Sequence, residues 1–209
     1  MANNIKFQDR TIEKFKSKLS GGGARSNLFE VSFGDAAGAF SFPSDIGSIT
    51  SDDSMLIKSA ALPASTISEI PVPFRGRTLK IAGDRTFDVW TITIINDNDF
   101  KWRNLFERWM NYITKVSDGS GTMSPSEYQV NAIVSQLSRG PVGPLNTTGA
   151  QNTNDIKVLR KYKMYGVFPT NVSQIDLSYN NENEIEEFSV DLQVQWFEAY
   201  DENGTGVIV

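Results

Sequence analysis

The side chains with the most obvious catalytic potential are three charged residues close together in the chain, Asp84, Arg85 and Asp88. Two carboxylates on either side of a turn can act as a general acid and a general base. Proximity in sequence does not fix a catalytic distance, however, and a turn at residues 83–85 held by an Asp–Arg pair explains the pattern more simply. The chain has no histidine and no cysteine, which excludes thiolate nucleophiles, disulfides, the usual zinc sites and the commonest general base.

Other acids have the spacing of oxygen ligands for a hard cation. They are Asp52 and Asp53, Asp97 and Asp99, and Glu182 and Glu184. Neither of the last two pairs has the glycine and the distal glutamate of an EF-hand loop, and solvated loops, turns and helix caps account for all three. We therefore expect no catalytic residue, no metal site and no cofactor.

The charge of the chain opposes binding to nucleic acid. The formal net charge is −5 at pH 7, which repels phosphates. Residues 156–168 interleave bases with aromatic residues, as nucleic-acid surfaces do, but in an acidic chain an exposed strand or a protein-docking surface is favoured. No stretch approaches the roughly 18 apolar residues of a membrane span, and the N-terminus lacks a signal-like apolar region. We expect a soluble protein without a membrane anchor.

Alternating apolar and polar residues predict that most of the chain forms β-strands. The predicted strands are residues 27–33, 39–42, 55–62, 77–82, 87–95, 128–137, 156–168, 172–179 and 186–197. The first two should pair across a Gly-rich turn, and the turn at residues 83–85 should join the fourth to the fifth. This pattern predicts a mainly β fold, an antiparallel β-sandwich or barrel with one amphipathic helix packed against it.

Helical spacing occurs in two places. In the body it produces one apolar stripe, which must lie on a sheet. The stripe consists of Trp102, Leu105, Phe106, Trp109 and Ile113. Near the start, residues 7–20 predict a short helix with Asp9 as its N-cap and Phe15 on its apolar side. Three glycines at 21–23 then form a flexible joint, so residues 1–26 are predicted to be an N-terminal arm.

A segment marked by Pro71 and Pro73 cannot lie in the middle of a sheet, because proline donates no backbone hydrogen bond. Its apolar residues are Ile67, Ile70, Val72 and Phe74. The segment must be an edge or a projecting arm. Exposed apolar edges aggregate unless they are covered, so we expect another molecule to cover this one.

The strand at residues 186–197 has two incompatible flanks, and it is predicted to anchor the fold. Phe188, Val190, Leu192, Val194 and Trp196 alternate with a polar set. The polar set includes Glu187, Ser189, Asp191, Gln193 and Gln195, with two acids and no base. The apolar flank should be core, so the function depends on what the polar flank faces.

A series of short motifs runs in one order along nearly the whole chain. They are Asn27-Leu28-Phe29, Ala61-Leu62-Pro63-Ala64, Ile70-Pro71-Val72-Pro73-Phe74, Ala82-Gly83-Asp84-Arg85-Thr86-Phe87-Asp88 before Trp90, Ala132-Ile133-Val134, Pro169-Thr170-Asn171-Val172, and Asn183-Glu184-Ile185 before Phe188. Together they resemble the tail tube proteins of contractile-tailed, T4-like bacteriophages. Against that family, the segments 36–53 and 139–154 look like insertions in a single tail-tube β-barrel domain of residues 27–200, followed by a C-terminal tail of residues 201–209.

The resemblance implies a non-enzymatic structural protein of the virion tail, made in the cytoplasm of the host bacterium. Its protomers would form homo-hexameric rings that stack into a tube inside a contractile sheath. The implied partners are the tail sheath, tape measure, baseplate and tail terminator proteins. Genomic DNA would pass through the lumen without specific binding.

This picture assigns places to the surfaces named above. The polar flank from Glu187 to Gln195 would line the bore, where acids repel phosphates and let DNA slide. Ring-to-ring contacts would come from the proline-marked segment, through Ile67, Ile70, Val72 and Phe74, and from the N-terminal helix, through Phe15. Two alternatives remain: the tube protein of a related contractile injection or secretion system, and a β-rich carbohydrate-binding module or carboxylate glycosidase.

Overall fold

A computed structural model describes residues 11–19, 23–35, 41–139, 158–180, 184–201 and 206–207. Its strands are β1 Phe29–Phe33, β2 Ile57–Ala60, β3 Ser65–Phe74, β4 Arg77–Phe87, β5 Trp90–Ile95, β6 Val130–Leu137, β7 Val158–Val172, β8 Glu187–Gln193, β9 Trp196–Tyr200 and β10 Gly206–Val207. Its helices are α1 Ile12–Lys18, a 3-10 helix Ser51–Leu56, α2 Lys101–Ile113 and α3 Pro125–Tyr128. The structure is mainly β and its strands pair antiparallel, which confirms the predicted fold class.

Strand β7 is the centre of an eight-stranded sheet. Six of its strands follow the order β1-β6-β7-β8-β5-β2, while β9 pairs with β7 and β10 pairs with β9. One edge of β7 pairs with β6. The other edge pairs with β9 through Lys161–Tyr165 and with β8 through Phe168–Val172. The long β7 therefore holds together two parts of the sheet, and β1, β2, β5, β6, β7, β8 and β9 all contribute to one core cluster.

The consecutive strands β8 and β9, which we call the β8–β9 ribbon, both pair with β7. Along β7 and along this ribbon, the side of the strand that faces the core changes at the same place, near Gly166. Met164 is buried before this level and Val167 after it, and on the partner the buried residues pass from Val194 to Phe197. Gly166 lies at the switch with φ +63°, a left-handed conformation that favours glycine. A Cβ on Gly166 would lie 2.5 Å from Cγ of Gln195. A bend of this kind lets a strand pass from one packed layer to the next.

Aromatic rings fill the core beneath α2. Phe33 lies within 6.5 Å, centroid to centroid, of five other rings of this cluster. They are Phe42, Trp90, Trp102, Phe106 and Trp109. Four residues of the predicted helical stripe are buried, and Ile113 packs partly against the same core. The stripe of α2 therefore packs as its spacing predicts.

Each of the three buried tryptophans also binds a connecting segment through its indole N–H. Trp90 donates to the carbonyl of Ala61 at 2.7 Å, and Trp102 donates to the carbonyl of Asp53 at 2.9 Å. Trp109 donates to the carbonyl of Tyr128 at 2.7 Å. Because buried indoles need an acceptor, these bonds attach the connections before β3, before β2 and before β6 to the core.

Several predicted elements are wrong in detail. Residues 186–197 are not one strand: the ladder is interrupted at 194–195, and Trp196 is 43% exposed whereas Phe197 is buried. Residues 27–33 pair with β6, not with residues 39–42, of which 39 and 40 lie outside the described residues. Residues 173–178 form no strand, because the chain leaves the sheet after β7.

The proline-marked segment confirms the prediction of a projecting arm. In the described part of the chain, β3 and β4 pair only with each other, in a separate two-stranded sheet that we call the arm. The predicted turn at residues 83–85 is wrong, since β4 continues through it with a bulge opposite Ser68. The turn lies at Arg75-Gly76, where both residues have positive φ, as a two-residue hairpin requires.

Two boundary predictions also need correction. Phe87 and Trp90 belong to different strands, with the break at residues 88–89. Helix α1 is capped by Thr11, whose side chain accepts from Lys14 N, while the predicted cap Asp9 lies outside the described residues. Among the described residues, no helix has both the length and the apolar character needed to span a bilayer.

Gly166→Ala should lower the free energy of unfolding by roughly 1–3 kcal/mol, because it adds strain at positive φ and a clash with Gln195. Gly119→Ala is the matched control, since Gly119 has φ +67° and a Cβ added there would meet no atom within 4 Å. Urea unfolding of both variants measures the difference. An equal loss in the two variants would show that the close approach to Gln195 does not matter.

Candidate functional site

The five residues predicted to line a bore share the outer face of the β8–β9 ribbon. Glu187 and Gln195 are exposed, and Ser189, Asp191 and Gln193 between them are half-buried. The alternating residues Phe188, Val190 and Leu192 are buried in the core. The two flanks predicted for this segment are therefore real along β8. We call the outer face of β8, from Glu187 to Gln193, the polar wall.

Helix α2 lies on the apolar side of β8. The guanidinium of Arg103 is 5.4 Å from the centre of the Phe188 ring, and Arg103 Nη1 donates to the carbonyl of Ser173 at 2.6 Å. Since Phe188 faces the core, the helix packs opposite the polar wall. The wall is therefore on the side of the sheet that α2 leaves uncovered.

Hydrogen bonds across three strands fix the middle of the polar wall. The carboxylate of Asp191 accepts from Thr91 Oγ1 on β5 at 2.7 Å and from Asn171 Nδ2 on β7 at 3.1 Å. These donors, Thr91 first, hold the pKa of Asp191 below its usual range. Because both donors are neutral, Asp191 keeps its negative charge on the wall.

The acid at the end of the wall has a basic partner that the sequence pattern did not indicate. Lys58 Nζ on β2 lies 2.6 Å from Oε1 of Glu187. Only one strand, β5, lies between β2 and β8 in the sheet order, so the long Lys58 side chain can reach Glu187. The wall is thus less acidic than the prediction of two acids without a base.

A stacked aromatic pair continues the outer surface beyond the wall, and the sequence analysis missed it. The rings of Trp196 on β9 and Tyr165 on β7 are 3.9 Å apart and nearly parallel. Tyr165 also donates to Glu198 at 3.0 Å, and burial, together with this environment, raises its pKa. In the sequence, Gly166 was the one sign that the alternation of buried and exposed residues shifts at this point of β7.

The arm has two chemically different faces beyond its bulge. Directly paired residues share a face. The pairs Ile70–Ile81 and Val72–Leu79 therefore form an apolar face, which continues to Phe74 at the tip. On the opposite face Lys80 and Glu69 form an ion pair of 2.7 Å. Strand alternation places Ile67 with Glu69, on the side opposite the apolar face.

Helix α1 also presents unpartnered apolar side chains. Ile12 and Phe15 are each about two-thirds exposed, and α1 contains no buried residue. A seven-residue helix has little stability alone. Phe15 is therefore on the surface, as the prediction of a contact residue requires.

The acids considered for chemistry have ordinary roles. Asp97 Oδ1 accepts from Lys101 N at 2.9 Å at the start of α2, and Asp53 caps the 3-10 helix through Thr50. Asp84 lies within strand β4 rather than in a turn. The described residues contain no cluster of acids that could hold a metal ion, and Glu182 lies outside them.

A family model described as "phage tail tube protein" matches residues 24–200, which include the core, the arm and the polar wall. The chain belongs to this family. It is therefore a structural protein of a phage tail, and the family expectation drawn from the motifs is confirmed.

Curated tail tube proteins match over nearly their whole length. Tail tube protein gp19 of Enterobacteria phage T4 is 33% identical over 193 residues, which cover 92% of this chain and 99% of that protein. The tail tube protein of Serratia phage KSP90 is 28% identical and covers 90% and 96%. These relatives place the tail tube protein described here with those of contractile, T4-like phages.

Solved structures show the same fold at low identity. The tube-terminating cap of the anti-feeding prophage has a TM-score of 0.54 at 13% identity, covering 86% of this chain and 91% of that one. A sheath–tube complex of an extracellular contractile injection system has a TM-score of 0.50 at 13% identity, covering 92% and 99%. The β fold of this tail tube protein thus occurs in tubes of contractile systems.

Asp191→Asn should lower the free energy of unfolding by about 1 kcal/mol at pH 7, because a carboxylate acceptor of two hydrogen bonds is lost. The pKa of Asp191 is depressed below 3.8 in the folded state, so its stabilisation is present above that pH and is lost as the pH falls through the folded value. The difference from wild type should therefore shrink in acid. Denaturant titrations at neutral and acidic pH measure it.

Asp52→Asn is the control for that measurement, because the carboxylate of Asp52 accepts no hydrogen bond within the described part of the chain. It should leave the stability unchanged at both pH values. A D191N variant as stable as wild type at neutral pH would contradict the role of Asp191 in fixing the wall.

Proposed function

We propose that this tail tube protein forms hexameric rings that stack into the inner tube of a contractile tail, with the polar wall of β8 lining the bore. The observation that carries the proposal is the uncovered polar wall, opposite a core sealed by α2. Helix α2 packs on the other side of the sheet and leaves this wall open. In a ring of copies around a channel, the wall would face water and passing DNA.

The chemistry of the wall suits DNA that must slide. The fixed charge of Asp191 repels phosphates, and at moderate salt its field reaches about 8–10 Å. Glu187 is balanced by Lys58, and the rest of the wall consists of neutral side chains. Genomic DNA would therefore meet weak repulsion, and the lysine beside the wall, Lys58, would already be paired with Glu187.

The sheet offers edges through which a ring can close. Strands β1 and β2 end the main path of the sheet, and among the described residues each pairs with a strand on one side only. Unpaired edges bind other strands readily. Pairing between edges of adjoining protomers would join six sheets into one continuous inner barrel.

The proposal includes the expected partners and location. The protein would be synthesised in the cytoplasm of the host bacterium and built into the virion tail. There it would contact the sheath, tape measure, baseplate and tail terminator proteins. The likeness to solved tube–sheath, cap and baseplate assemblies of other contractile systems supports these contacts. The same likeness favours one alternative, a tube that delivers protein through a contractile injection system, which genes for capsid and terminase beside this one would exclude.

Labelling of a Ser189→Cys variant tests the position of the wall, since the chain has no other cysteine. In disassembled protein, a small maleimide and a bulky polymer-linked maleimide should both react. In assembled tubes, the small reagent should enter the bore and react, whereas the bulky one should be excluded.

The two reagents separate the other arrangements. Equal reaction of both with assembled tubes would place β8 on the outer surface. Protection from both would place it in a contact between protomers. Negative-stain images of the same samples establish that tubes are present.

We further propose that the apolar face of the arm and Phe15 of α1 make contacts between successive rings. An isolated two-stranded hairpin is marginally stable in water, and its apolar face would be covered in a stack of rings. Ile70, Val72 and Phe74 contribute to this face, and Ile67 would contact the adjoining ring from the opposite face. Phe15 adds an exposed aromatic ring on α1.

Val72→Ser with Leu79→Ser should prevent or shorten stacking, because it removes apolar area from the contact but leaves the core intact. Thr78→Ser with Ala82→Ser changes the opposite face of the same strands and is the matched control. Tube length in negative-stain images is the readout, and circular dichroism checks folding. Tubes of normal length from the V72S/L79S protein would remove the apolar face from the ring contact.

A further inference from the structure

The tip of the arm is a compact basic and aromatic surface. Arg75 and Arg77 flank Gly76, and the guanidinium of Arg75 lies 5.4 Å from the centre of the Phe74 ring. The Phe74 side chain is 67% exposed. Neither arginine forms an ion pair within the described residues, because the acid on this part of the arm, Glu69, pairs with Lys80.

A groove on the body has the complementary character. It has a volume of about 420 Å³ and is formed where the chain leaves β7 and where it enters β8. Its lining includes Asp176, Glu184 and Glu186, and no lysine or arginine. Leu177 and Ile185, both largely exposed, add apolar surface to the same groove.

Three of the four acids that line the groove form no ion pair within the described residues. Within the described residues, Asp176 accepts only from Gln174 and Glu186 only from Asn96, both neutral amides. Glu184 has no side-chain partner there. The fourth acid of the lining, Glu187, is the one that pairs with Lys58.

We propose that the arm tip, Phe74 to Arg77, of one copy docks into this groove on a second copy in the adjoining ring. Two arginines would meet unpartnered carboxylates, for which the guanidinium fork is well suited. Phe74 would cover Leu177 and Ile185. Arginine and aromatic side chains are the types that dominate protein interfaces, and the groove has the volume of an ordinary binding pocket.

The length and exposure of the arm, with the complementary charges, favour a second copy as the occupant. Strand β3 has ten residues, which at about 3.3 Å each extend roughly 33 Å. Among the described residues β3 and β4 pair only with each other and are almost wholly exposed, so the tip projects away from the main sheet. The inference rests on the proposed stacking of rings, to which it adds the identity of the surface that receives the arm.

Charge reversal in the full-length protein tests the docking. R75E/R77E and D176K/E184K should each raise the concentration needed for stacking by at least about tenfold, because like charges then face each other. The chain with all four substitutions should stack nearly as wild type, since the attraction is restored with its sign exchanged. E69K/K80E is the control, because it reverses an ion pair on the arm away from the tip and keeps the net charge.

The outcomes separate this inference from the proposed tube. If wild type and the control stack but R75E/R77E stacks equally well, the docking is wrong and the tube stands. Failure of the four-substitution chain to recover, when circular dichroism shows that it is folded, also overturns the docking. A wild-type protein that forms neither rings nor tubes at any concentration overturns both.

A pair of introduced cysteines gives a second, independent readout, because the chain has no cysteine of its own. R77C/E184C should form disulfide-linked oligomers when assembled protein is oxidised. K80C/E184C is the matched control, since Lys80 lies on the opposite face of the arm. Equal cross-linking of the two variants, or none in R77C/E184C tubes, would refute the contact.

Discussion

The pairing of β7 along both of its edges is the constraint on which the rest of the structure depends. Its other edge holds β9 and then β8, in one register from Lys161 to Pro169 with a shift before Asn171, and both partners change their buried flank beside Gly166. If the core-facing side did not change in both partners, the apolar residues of either β8 or β9 would be exposed to water. With it, one core accepts Leu192 and Phe197 from a ribbon whose outer side stays polar or amphipathic.

The aromatic cluster under α2 performs the complementary task of making the protomer rigid. Trp90, Trp102 and Trp109 each occupy the core and also bind the carbonyl of a connecting segment. The carbonyl that Trp90 binds, that of Ala61, lies just before the arm. A firmly held base lets the arm carry exposed apolar and basic side chains outward without stability of its own. In this way the core supports the surfaces proposed for assembly.

Sequence alone predicted the parts of this fold that depend on local periodicity. The stripe of α2, the flanks of β8 and the exclusion of the proline-marked segment from the main sheet all follow from spacing and from proline chemistry. What periodicity could not supply is pairing between distant segments. The partner of β1 is β6 rather than its neighbour, and Lys58 reaches Glu187 only through the sheet order.

The sequence-based predictions were wrong where one local pattern is compatible with two structures. Residues 83–85 look like a turn because of their glycine and charges, yet they lie at a bulge in β4, and the turn lies at Arg75-Gly76. Trp196 continues the alternation of β8 in sequence but lies outside the core, because the strand changes phase at Gln195. Ile46 is buried although it lies in a polar, turn-rich stretch for which no strand or helix is predicted.

The central claim is that the uncovered flank of β8 forms the surface of a channel built by many copies. A cryo-EM reconstruction of tubes assembled from the purified protein tests it most directly. The account predicts that Ser189, Asp191 and Gln193 of every protomer face the tube axis across open solvent. A map in which β8 instead packs against a neighbouring protomer, or faces the outside of the tube, would contradict it.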